Sequence, residues 1–204
     1  KNGHKIRLTS NFTNIIFSDA SATGFGAFIL QQMDEKVAQG HFSPHEQCSS
    51  STHRELLAVK YALESFANLL QHDTILWHSD NQNVGRILQS GSSKPDLHAI
   101  AIEIYRFCVA NSNNIHSVWI PRAENSVADF YSRPKDTDDF SIDNKTFYII
   151  QRKLGFCTVD RFADHRNAKT KRFNSKFYWP RTECVNAFSC DWKGDFNYIC
   201  PPIT

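Results

Sequence analysis

The stretch ILWHSDNQN, residues 75–83, decides how the fold is interpreted. It starts with three apolar residues in a row, as a buried strand does, and ends in a polar run that suits the start of a helix. Asp80 lies where the apolar residues stop. One explanation is an N-cap, because an Asp after a strand can accept hydrogen bonds from the first N–H groups of the next helix. The other is a site at the end of a strand, which requires further carboxylates in comparable places.

Length and composition indicate one globular domain with a smaller appendage. The 204 residues are 41% hydrophobic and 22% charged, with 16 Phe and 4 Trp, which argues against a disordered chain. No apolar run reaches the roughly 18 residues that a membrane-spanning helix needs. The polar start KNGHKIRLTS also lacks the core of a signal peptide. The sequence therefore predicts an intracellular protein, cytoplasmic or nuclear, without a membrane partner.

The net charge of +2 is unevenly distributed. Residues 1–140 carry 12 Lys and Arg against 15 Asp and Glu, a net charge of −3, whereas residues 141–204 carry 11 against 6, a net charge of +5. A basic segment is either a solvated surface or a contact with phosphate. The candidate phosphate contacts here are Lys169, Lys171 and Arg172, with aromatic residues nearby to pack or stack.

The spacing of the six cysteines argues against a structural zinc site. None forms a Cys-x-x-Cys pair, although Cys184, Cys190 and Cys200 lie near one another in the chain. Closely spaced ligand pairs are typical of structural zinc sites. We therefore expect reduced thiols, most of them buried.

Alternating strand and helix patterns predict an α/β fold with a mixed sheet. The first two strands are separated by a short turn, which favours an antiparallel hairpin. The long helix repeats apolar residues at steps of three and four, which is typical of an amphipathic helix. The predicted strands cover residues 14–20, 24–31, 36–42, 75–80 and 115–120, and the predicted helices cover residues 51–70, 82–89, 97–110 and 123–132.

Four carboxylates occupy comparable places in this pattern. Asp19 ends the first strand and Asp80 ends the fourth. Glu55 lies in the first turn of the long helix, and Asp129 lies in the last helix. If the first and fourth strands are adjacent and parallel, their carboxyl ends lie side by side, where open α/β sheets place their sites. Converging carboxylates repel one another unless a divalent cation lies between them, and oxygen ligands favour Mg²⁺ or Mn²⁺.

Each carboxylate taken singly also has a structural explanation. Glu55 has the spacing of a capping box with Thr52, and Asp80 can cap the next helix. Asp129 can face water, and Asp19 can stabilise the turn that follows it. Taken together, in the order Asp, Glu, Asp, Asp on matching elements, the four indicate one site.

Four blocks of the sequence resemble the ribonuclease H domain of reverse-transcribing elements. They are FSDASATGFGAFI, HRELLAVKYAL, WHSDNQNVGRIL and WIPRAENSVADFYSR, which follow the order of the family within residues 14–134. The resemblance is greatest to long-terminal-repeat and DIRS-type tyrosine-recombinase retrotransposons. Residues 147–202 are similar, more loosely, to the segment that follows this domain in DIRS-type polyproteins.

The resemblance implies a fold and a domain organisation. The expected fold is α/β and ribonuclease H-like, with a five-stranded mixed sheet flanked by helices and a small α+β appendage at the C-terminus. The ribonuclease H-like domain would cover residues 1–134, a linker 135–146, and the basic, aromatic-rich appendage 147–204. An upstream reverse transcriptase domain of the same polyprotein is the implied protein partner.

The resemblance also implies an activity, the hydrolysis of the RNA strand of RNA–DNA hybrids by a two-metal mechanism. The catalytic residues, and the ligands of two Mg²⁺ ions for which Mn²⁺ can substitute, would be Asp19, Glu55, Asp80 and Asp129. Recognition of RNA would use its 2′-hydroxyl groups and the minor groove. The expected substrate contacts are Ser21, Asn81, Asn83, Arg122, Lys169, Lys171 and Arg172.

The sequence departs from the family in two places. The loop before the last helix reads PRAEN, residues 121–125, without the histidine that many cellular members carry there. Only six residues, 91–96, separate the two middle helices, so the basic helix with which many members bind the hybrid is missing. Turnover and hybrid binding therefore need other residues.

Three other functions are compatible with the fold class. A catalytically inactive binding or scaffold module is the principal alternative, and the complete set of four acids argues against it. A 3′-exonuclease would carry a second acid two residues after the first, where Ser21 lies. A DDE-type integrase would have its acids in the order Asp, Asp, Glu, whereas Glu55 comes second here.

Overall fold

Five strands form the main sheet of the computed structural model, which describes residues 11–31, 34–134 and 141–201. They are β1 (Asn14–Ala20), β2 (Gly24–Gln31), β3 (Asp34–His41), β4 (Thr74–Ser79) and β5 (Asn114–Trp119). Their spatial order is β3-β2-β1-β4-β5. β1 and β3 are antiparallel to β2, whereas β4 is parallel to both β1 and β5. The predicted α/β fold with a mixed five-stranded sheet is confirmed.

Helices flank this sheet. They are α1 (Pro44–Gln47), α2 (Ser51–Ser65), α3 (Gln82–Ser90), α4 (Pro95–Ala110) and α5 (Ser126–Tyr131), the last preceded by a 3-10 turn, Arg122–Asn125. α2 packs on β1, β2 and α4, and its apolar face, including Leu56, Val59 and Leu63, is buried as its sequence pattern predicted. It ends at Ser65, earlier than predicted, and the buried Phe66 follows in a turn.

A buried tryptophan joins the two strands that carry Asp19 and Asp80. Trp77 of β4 is fully buried, and its Nε1 donates a hydrogen bond to Ser18 Oγ of β1 at 2.9 Å. The indole thus contributes its apolar surface to the core without leaving its N–H group unpaired. This contact adds to the parallel pairing between β1 and β4.

The C-terminal residues form a second, smaller unit of secondary structure. It consists of α6 (Asn144–Leu154) and four short strands, β6 (Val159–Asp160), β7 (Arg172–Ser175), β8 (Cys184–Val185) and β9 (Asn197–Tyr198). These strands are parallel, in the order β8-β7-β6-β9. α6 starts at Asn144, inside the stretch that the sequence assigns to a linker. Residues 135–140 of that predicted linker lie outside the described residues.

A buried arginine holds the small sheet together. Arg161, directly after β6, is 1% exposed. Its guanidinium donates to Asn197 Oδ1 at 2.6 Å, to Asn174 Oδ1 at 3.0 Å and to Asp195 Oδ2 at 3.0 Å. A buried charge is tolerated when it is paired and hydrogen-bonded in this way. These bonds tie β6 to β7 and β9, which compensates for strands of only two to four residues.

The appendage packs against the free edge of β3. Tyr178 N–H donates to Val37 O at 2.9 Å, and Tyr178 O accepts a hydrogen bond from Gln39 N–H at 3.3 Å. Trp179 lies directly on Gly40, where a Cβ atom would be 1.9 Å from Trp179 Cζ3. Only glycine permits this contact. The edge strand is therefore covered by Tyr178 and Trp179, which is one way that proteins protect an exposed edge.

The prediction of reduced thiols is wrong for two of the six cysteines. Cys184 and Cys190 form a disulfide. The 3-10 turn Ala187–Ser189 lies between them and brings their Cα atoms to 6.6 Å, a proximity that their spacing in the sequence does not reveal. Cys48 is exposed rather than buried, and Cys108 is buried as expected. Within residues 11–31, 34–134 and 141–201, no helix combines the length and the apolarity needed to cross a bilayer.

Candidate active site

Three of the four predicted acids converge at one edge of the main sheet. Asp19 lies near the end of β1, Glu55 in α2, and Asp80 directly after β4. One carboxylate oxygen from each lies within 4.8 Å of the other two. Because β1 and β4 are parallel neighbours, their carboxyl ends meet as expected. In the part of the chain that the structure describes, this is the single group of three or more His, Cys, Asp or Glu side chains that could hold an ion.

The helix-cap explanations of two acids do not hold. The N-cap of α2 is Ser50, so Glu55 forms no capping box with Thr52. The N-cap of α3 is Asn81, whose side chain accepts a hydrogen bond from a main-chain N–H of the first turn, so Asp80 does not cap that helix. Neither acid caps a helix, so both carboxylates are available for another role.

Ser21, and not Asp19, stabilises the turn after β1. Its Oγ accepts hydrogen bonds from the N–H groups of Thr23 at 3.1 Å and Gly24 at 3.0 Å. The same hydroxyl donates to Ser132 O at 2.6 Å. The Ser21 side chain is thus engaged within the protein, although it lines the pocket next to the three acids.

Burial makes the ionised form of the acid cluster costly. Glu55 is 5% exposed, and its Oε2 is buried without a hydrogen-bond partner. Burial, and then the charges of Asp19 and Asp80, raise the pKa of Glu55 to about 9. Burial also raises the pKa of Asp19, and the charge of Asp80 adds to this effect. A cation bound among these oxygens would offset both the lost hydration and the mutual repulsion.

Contacts on both sides fix the position of Asp80. Trp119, at the end of β5, donates from its Nε1 to Asp80 O at 2.9 Å. Ser79 Oγ accepts a hydrogen bond from Asn81 N–H at 3.2 Å. The main chain between β4 and α3 is thereby held by side chains of β4 and β5, at the point where Asp80 lines the pocket.

A glycine allows the last helix to approach the sheet. Gly26 of β2 is the partner of Asp19 in the β1–β2 register. A Cβ atom at this position would lie 2.3 Å from Ser132 N, so no other residue would let α5 pack this closely. Asn125 Nδ2 also donates to Ser18 O at 2.9 Å and fixes the start of the helix. As a result Asp129 lines the same pocket as the other acids.

Asp129 is paired with two arginines. Its Oδ1 accepts a hydrogen bond from Arg122 Nη2 at 2.9 Å and another from Arg133 Nη2 at 2.5 Å. The compact group of three acids does not include Asp129. The sequence interpretation named Arg122 but not Arg133, although the spacing of four residues between Asp129 and Arg133 is a signal for an ion pair on a helix.

The predicted contacts after β4 separate into two groups. Asn81 lines the pocket, and so does Gln82, which the sequence interpretation did not include. Asn83 is exposed in the first turn of α3, and its N–H donates to Asn81 Oδ1 at 3.0 Å. Asn83 is not among the residues that line the pocket. Glu124, in the loop before α5, is exposed and does not line it either.

The basic residues of the appendage differ in their surroundings. Arg172 donates to Glu183 Oε2 and to Asp195 Oδ1, both at 2.6 Å, so that its charge is offset within the protein. Lys169 Nζ donates to an amide oxygen at 3.1 Å. Lys171 is exposed. None of the three lines the acidic pocket.

Comparison with protein families identifies the N-terminal part. Residues 10–107 match the family described as the RNase H-like domain found in reverse transcriptase. This part of the chain is therefore similar to the RNase H domain of reverse-transcribing elements. Asp19, Glu55 and Asp80 lie within the matched residues, and Asp129 lies beyond them. No curated protein matches the sequence.

Solved structures with a similar arrangement are distant in sequence. RNase H1 from the halophilic archaeon Halobacterium salinarum is 18% identical, with a TM-score of 0.46 over 58% of this chain and 92% of that chain. LC11-RNase H1 in complex with RNA/DNA hybrid is 21% identical, with a TM-score of 0.42 over 58% of this chain and 92% of that chain. The foamy viral protease-reverse transcriptase in complex with RNA/DNA hybrid is 13% identical, with a TM-score of 0.44 over 64% of this chain and 21% of that chain.

Proposed function

We propose that this protein is a metal-dependent endonuclease that hydrolyses the RNA strand of RNA–DNA hybrids. The observation that carries the proposal is the meeting of Asp19, Glu55 and Asp80 at the carboxyl ends of β1 and β4, with oxygens within 4.8 Å of one another. The RNase H-like domain supports the reaction class. It also supports an upstream reverse transcriptase domain of the same polyprotein as the partner.

The residues of the pocket fit divalent cations. Their ligand atoms are carboxylate oxygens, which hard ions such as Mg²⁺ and Mn²⁺ prefer. Glu55 Oε2 is buried without a hydrogen-bond partner, as expected for an atom that awaits a ligand. The proposed ligands of two ions are Asp19, Glu55, Asp80 and Asp129. When bound, such ions activate water for attack on a phosphate and stabilise the leaving oxygen.

The protein itself contributes orientation and substrate binding. Its strands and helices hold the four acids in place. The proposed reaction needs no nucleophilic side chain of the protein, because a water molecule attacks the phosphate. Arg122 lies at the pocket with its side chain 72% exposed, so its guanidinium can donate to phosphate oxygens of the hybrid. Asn81 is the proposed polar contact at the start of α3, and Lys171 is the exposed cation of the appendage that can bind phosphate.

The start of α6 and the packing of the appendage on β3 support a domain organisation. We propose that residues 1–134 carry the chemistry and that the appendage starts near Asp143, the N-cap of α6, rather than at residue 147. Because Tyr178 and Trp179 pack on β3, the appendage supports the nuclease domain as well as carrying basic residues.

The test is cleavage of a labelled RNA–DNA hybrid with Mg²⁺ or Mn²⁺, which should leave 5′-phosphate ends. Asp80→Asn should abolish cleavage, because it removes a ligand charge with little change in volume. Asp73→Asn, at the other end of β4, is the matched control and should cleave normally. Activity that survives Asp80→Asn, or that persists in EDTA, would contradict the assignment.

The pairing of Asp129 with Arg122 and Arg133 favours one alternative, a binding module of the same fold without catalysis. Such a module would not cleave the hybrid with either Mg²⁺ or Mn²⁺. Its affinity for the hybrid would be the same before and after Asp80→Asn. The cleavage assay with binding measured in parallel separates these functions.

A further inference from the structure

Two positive charges hold the fourth acid of the pocket. The Asp129 side chain is 19% exposed, and its Oδ1 accepts one hydrogen bond from Arg122 and one from Arg133. Hydrogen bonds between ionised partners are among the strongest in proteins. A divalent cation that approaches Asp129 would meet two guanidinium groups on the same carboxylate. Binding of a cation to Asp129 is therefore in competition with the arginines.

The two arginines are anchored differently. Arg133 follows Asp129 by four residues, so the pair belongs to one helical end and stays together. Arg122 comes from the 3-10 turn before α5, and its side chain is 72% exposed. A guanidinium has five N–H donors, of which Arg122 directs one to Asp129. Arg122 is therefore the arginine that can exchange partners.

A phosphate of the proposed substrate is a chemically suitable new partner for Arg122. Arg122 lines the same pocket as Asp19 and Asp80, where the proposed reaction requires the scissile phosphate. A phosphodiester carries a full negative charge and can accept two parallel hydrogen bonds from a guanidinium, which matches the geometry of arginine better than that of lysine. When Arg122 turns to a phosphate, Asp129 loses one of its two cationic partners.

We propose that Arg122 couples substrate binding to metal binding. Together with Arg133 it holds Asp129 in the free protein, and a phosphate of the hybrid draws Arg122 away, so that Asp129 keeps one cationic partner and binds a metal ion more strongly when substrate is bound. Arg122 is thus a positioning residue that acts through Asp129. The inference rests on the proposed nuclease function and assigns to Arg122 a role that the histidine-free loop 121–125 leaves open.

The consequence is an ordered occupancy of the two metal positions. The two arginine hydrogen bonds described above end on Asp129 and not on Asp19, Glu55 or Asp80, so the group of these three acids should bind one cation without substrate. The metal position that includes Asp129 should have a low affinity for cations until the hybrid is bound. Removal of the Arg122 charge should strengthen cation binding at that position by about tenfold before any substrate is added.

The experiment measures Mn²⁺ binding to the full chain by electron paramagnetic resonance of the free ion. Titrations are made without nucleic acid and with an excess of RNA–DNA hybrid, and spectra are recorded on ice within the time in which a gel shows the RNA strand intact. The wild type should bind one Mn²⁺ tightly and the second about tenfold more tightly with hybrid than without. Arg122→Gln should bind both ions without hybrid, with less than about threefold further change when hybrid is added.

Two further variants serve as controls. Arg86→Gln removes an exposed arginine of α3 that lies outside the pocket and should behave as the wild type. Arg133→Gln removes the anchored arginine and should retain the response to hybrid. Circular dichroism of each variant checks the fold. Replacement of Arg122 should leave the fold unchanged, because its side chain is largely exposed.

The outcomes separate this inference from the proposed function. If the wild type binds two Mn²⁺ ions with affinities that neither hybrid nor Arg122→Gln changes, the coupling is wrong and the metal site stands. If Arg122→Gln weakens hybrid binding but leaves both Mn²⁺ affinities unchanged, Arg122 is a simple phosphate contact and the coupling is again wrong. If the wild type binds no Mn²⁺ with or without hybrid, the proposed function itself is overturned.

Discussion

Replacement of Glu55 by Gln should change how the stability of the fold depends on pH. Glu55 is 5% exposed, and burial followed by the charges of Asp19 and Asp80 raises its pKa from an ordinary value of 4.5 to about 9. An acid whose pKa is raised in the folded state stabilises that state while it is protonated. Its contribution is fully present below pH 4.5, and it is lost as the pH rises through about 9.

The magnitude follows from the two pKa values. In each pH unit between them, the free energy of unfolding falls by about 1.4 kcal/mol, because only the folded state retains the proton. From pH 4.5 to pH 7 the loss due to Glu55 is therefore about 3 kcal/mol. Glu55→Gln removes the titrating group while keeping a similar volume. Its stability should lack this decline, so the variant should gain on the wild type as the pH rises.

The assay is urea unfolding from pH 5 to pH 9 in EDTA, with the difference between the two proteins taken at each pH. The exposed Glu124→Gln is the control for a neutral replacement elsewhere. Added Mg²⁺ should stabilise the wild type, because an ion that binds only the folded state adds to its stability, and should stabilise Glu55→Gln less. Wild type and Glu55→Gln curves that stay parallel across this range would refute the reasoning, since Glu55 would then titrate alike in both states.

Two further predictions concern the appendage. Trp179→Ala should lower the free energy of unfolding by about 3 kcal/mol, because the indole packs on β3 and stacks on a histidine, and urea unfolding measures this loss. Lys171→Glu should weaken hybrid binding and reduce its salt slope by about one without loss of stability. Arg172→Glu should instead destabilise the fold, because it leaves Glu183 and Asp195 next to a like charge. Equal stability of these two charge reversals would contradict the structure.

The main sheet could be predicted from the sequence because its strands are long enough to carry a pattern. β1 and β2 have the predicted bounds, and each is seven or eight residues long with apolar residues and a turn between them. β6, β8 and β9 contain two residues each, which is too short for any alternation. β6 and β9 are held by the hydrogen bonds of the buried Arg161, a tertiary network that no local pattern indicates.

The acids of the site could be predicted because strand ends fix them in space. Asp19 and Asp80 needed only the parallel pairing of β1 with β4 to be brought together. Asp129 lines the same pocket as the other acids, but its pairing with Arg122 depends on how the 3-10 turn before α5 folds. That turn depends in part on Asn125, which is buried against β1 and which the sequence analysis did not single out.

Gln39 of β3 links the appendage to the helix that carries Asp129. Its main-chain N–H donates to Tyr178 O at 3.3 Å, and its Nε2 donates to Tyr131 O, in the last turn of α5, at 2.6 Å. Phe177 adds an edge contact with the Tyr131 ring at 6.0 Å. Removal of the whole appendage would therefore disturb α5 as well as take away basic residues. A shortened chain that cleaves poorly would not distinguish lost phosphate contacts from a displaced Asp129, whereas single charge reversals such as Lys171→Glu do.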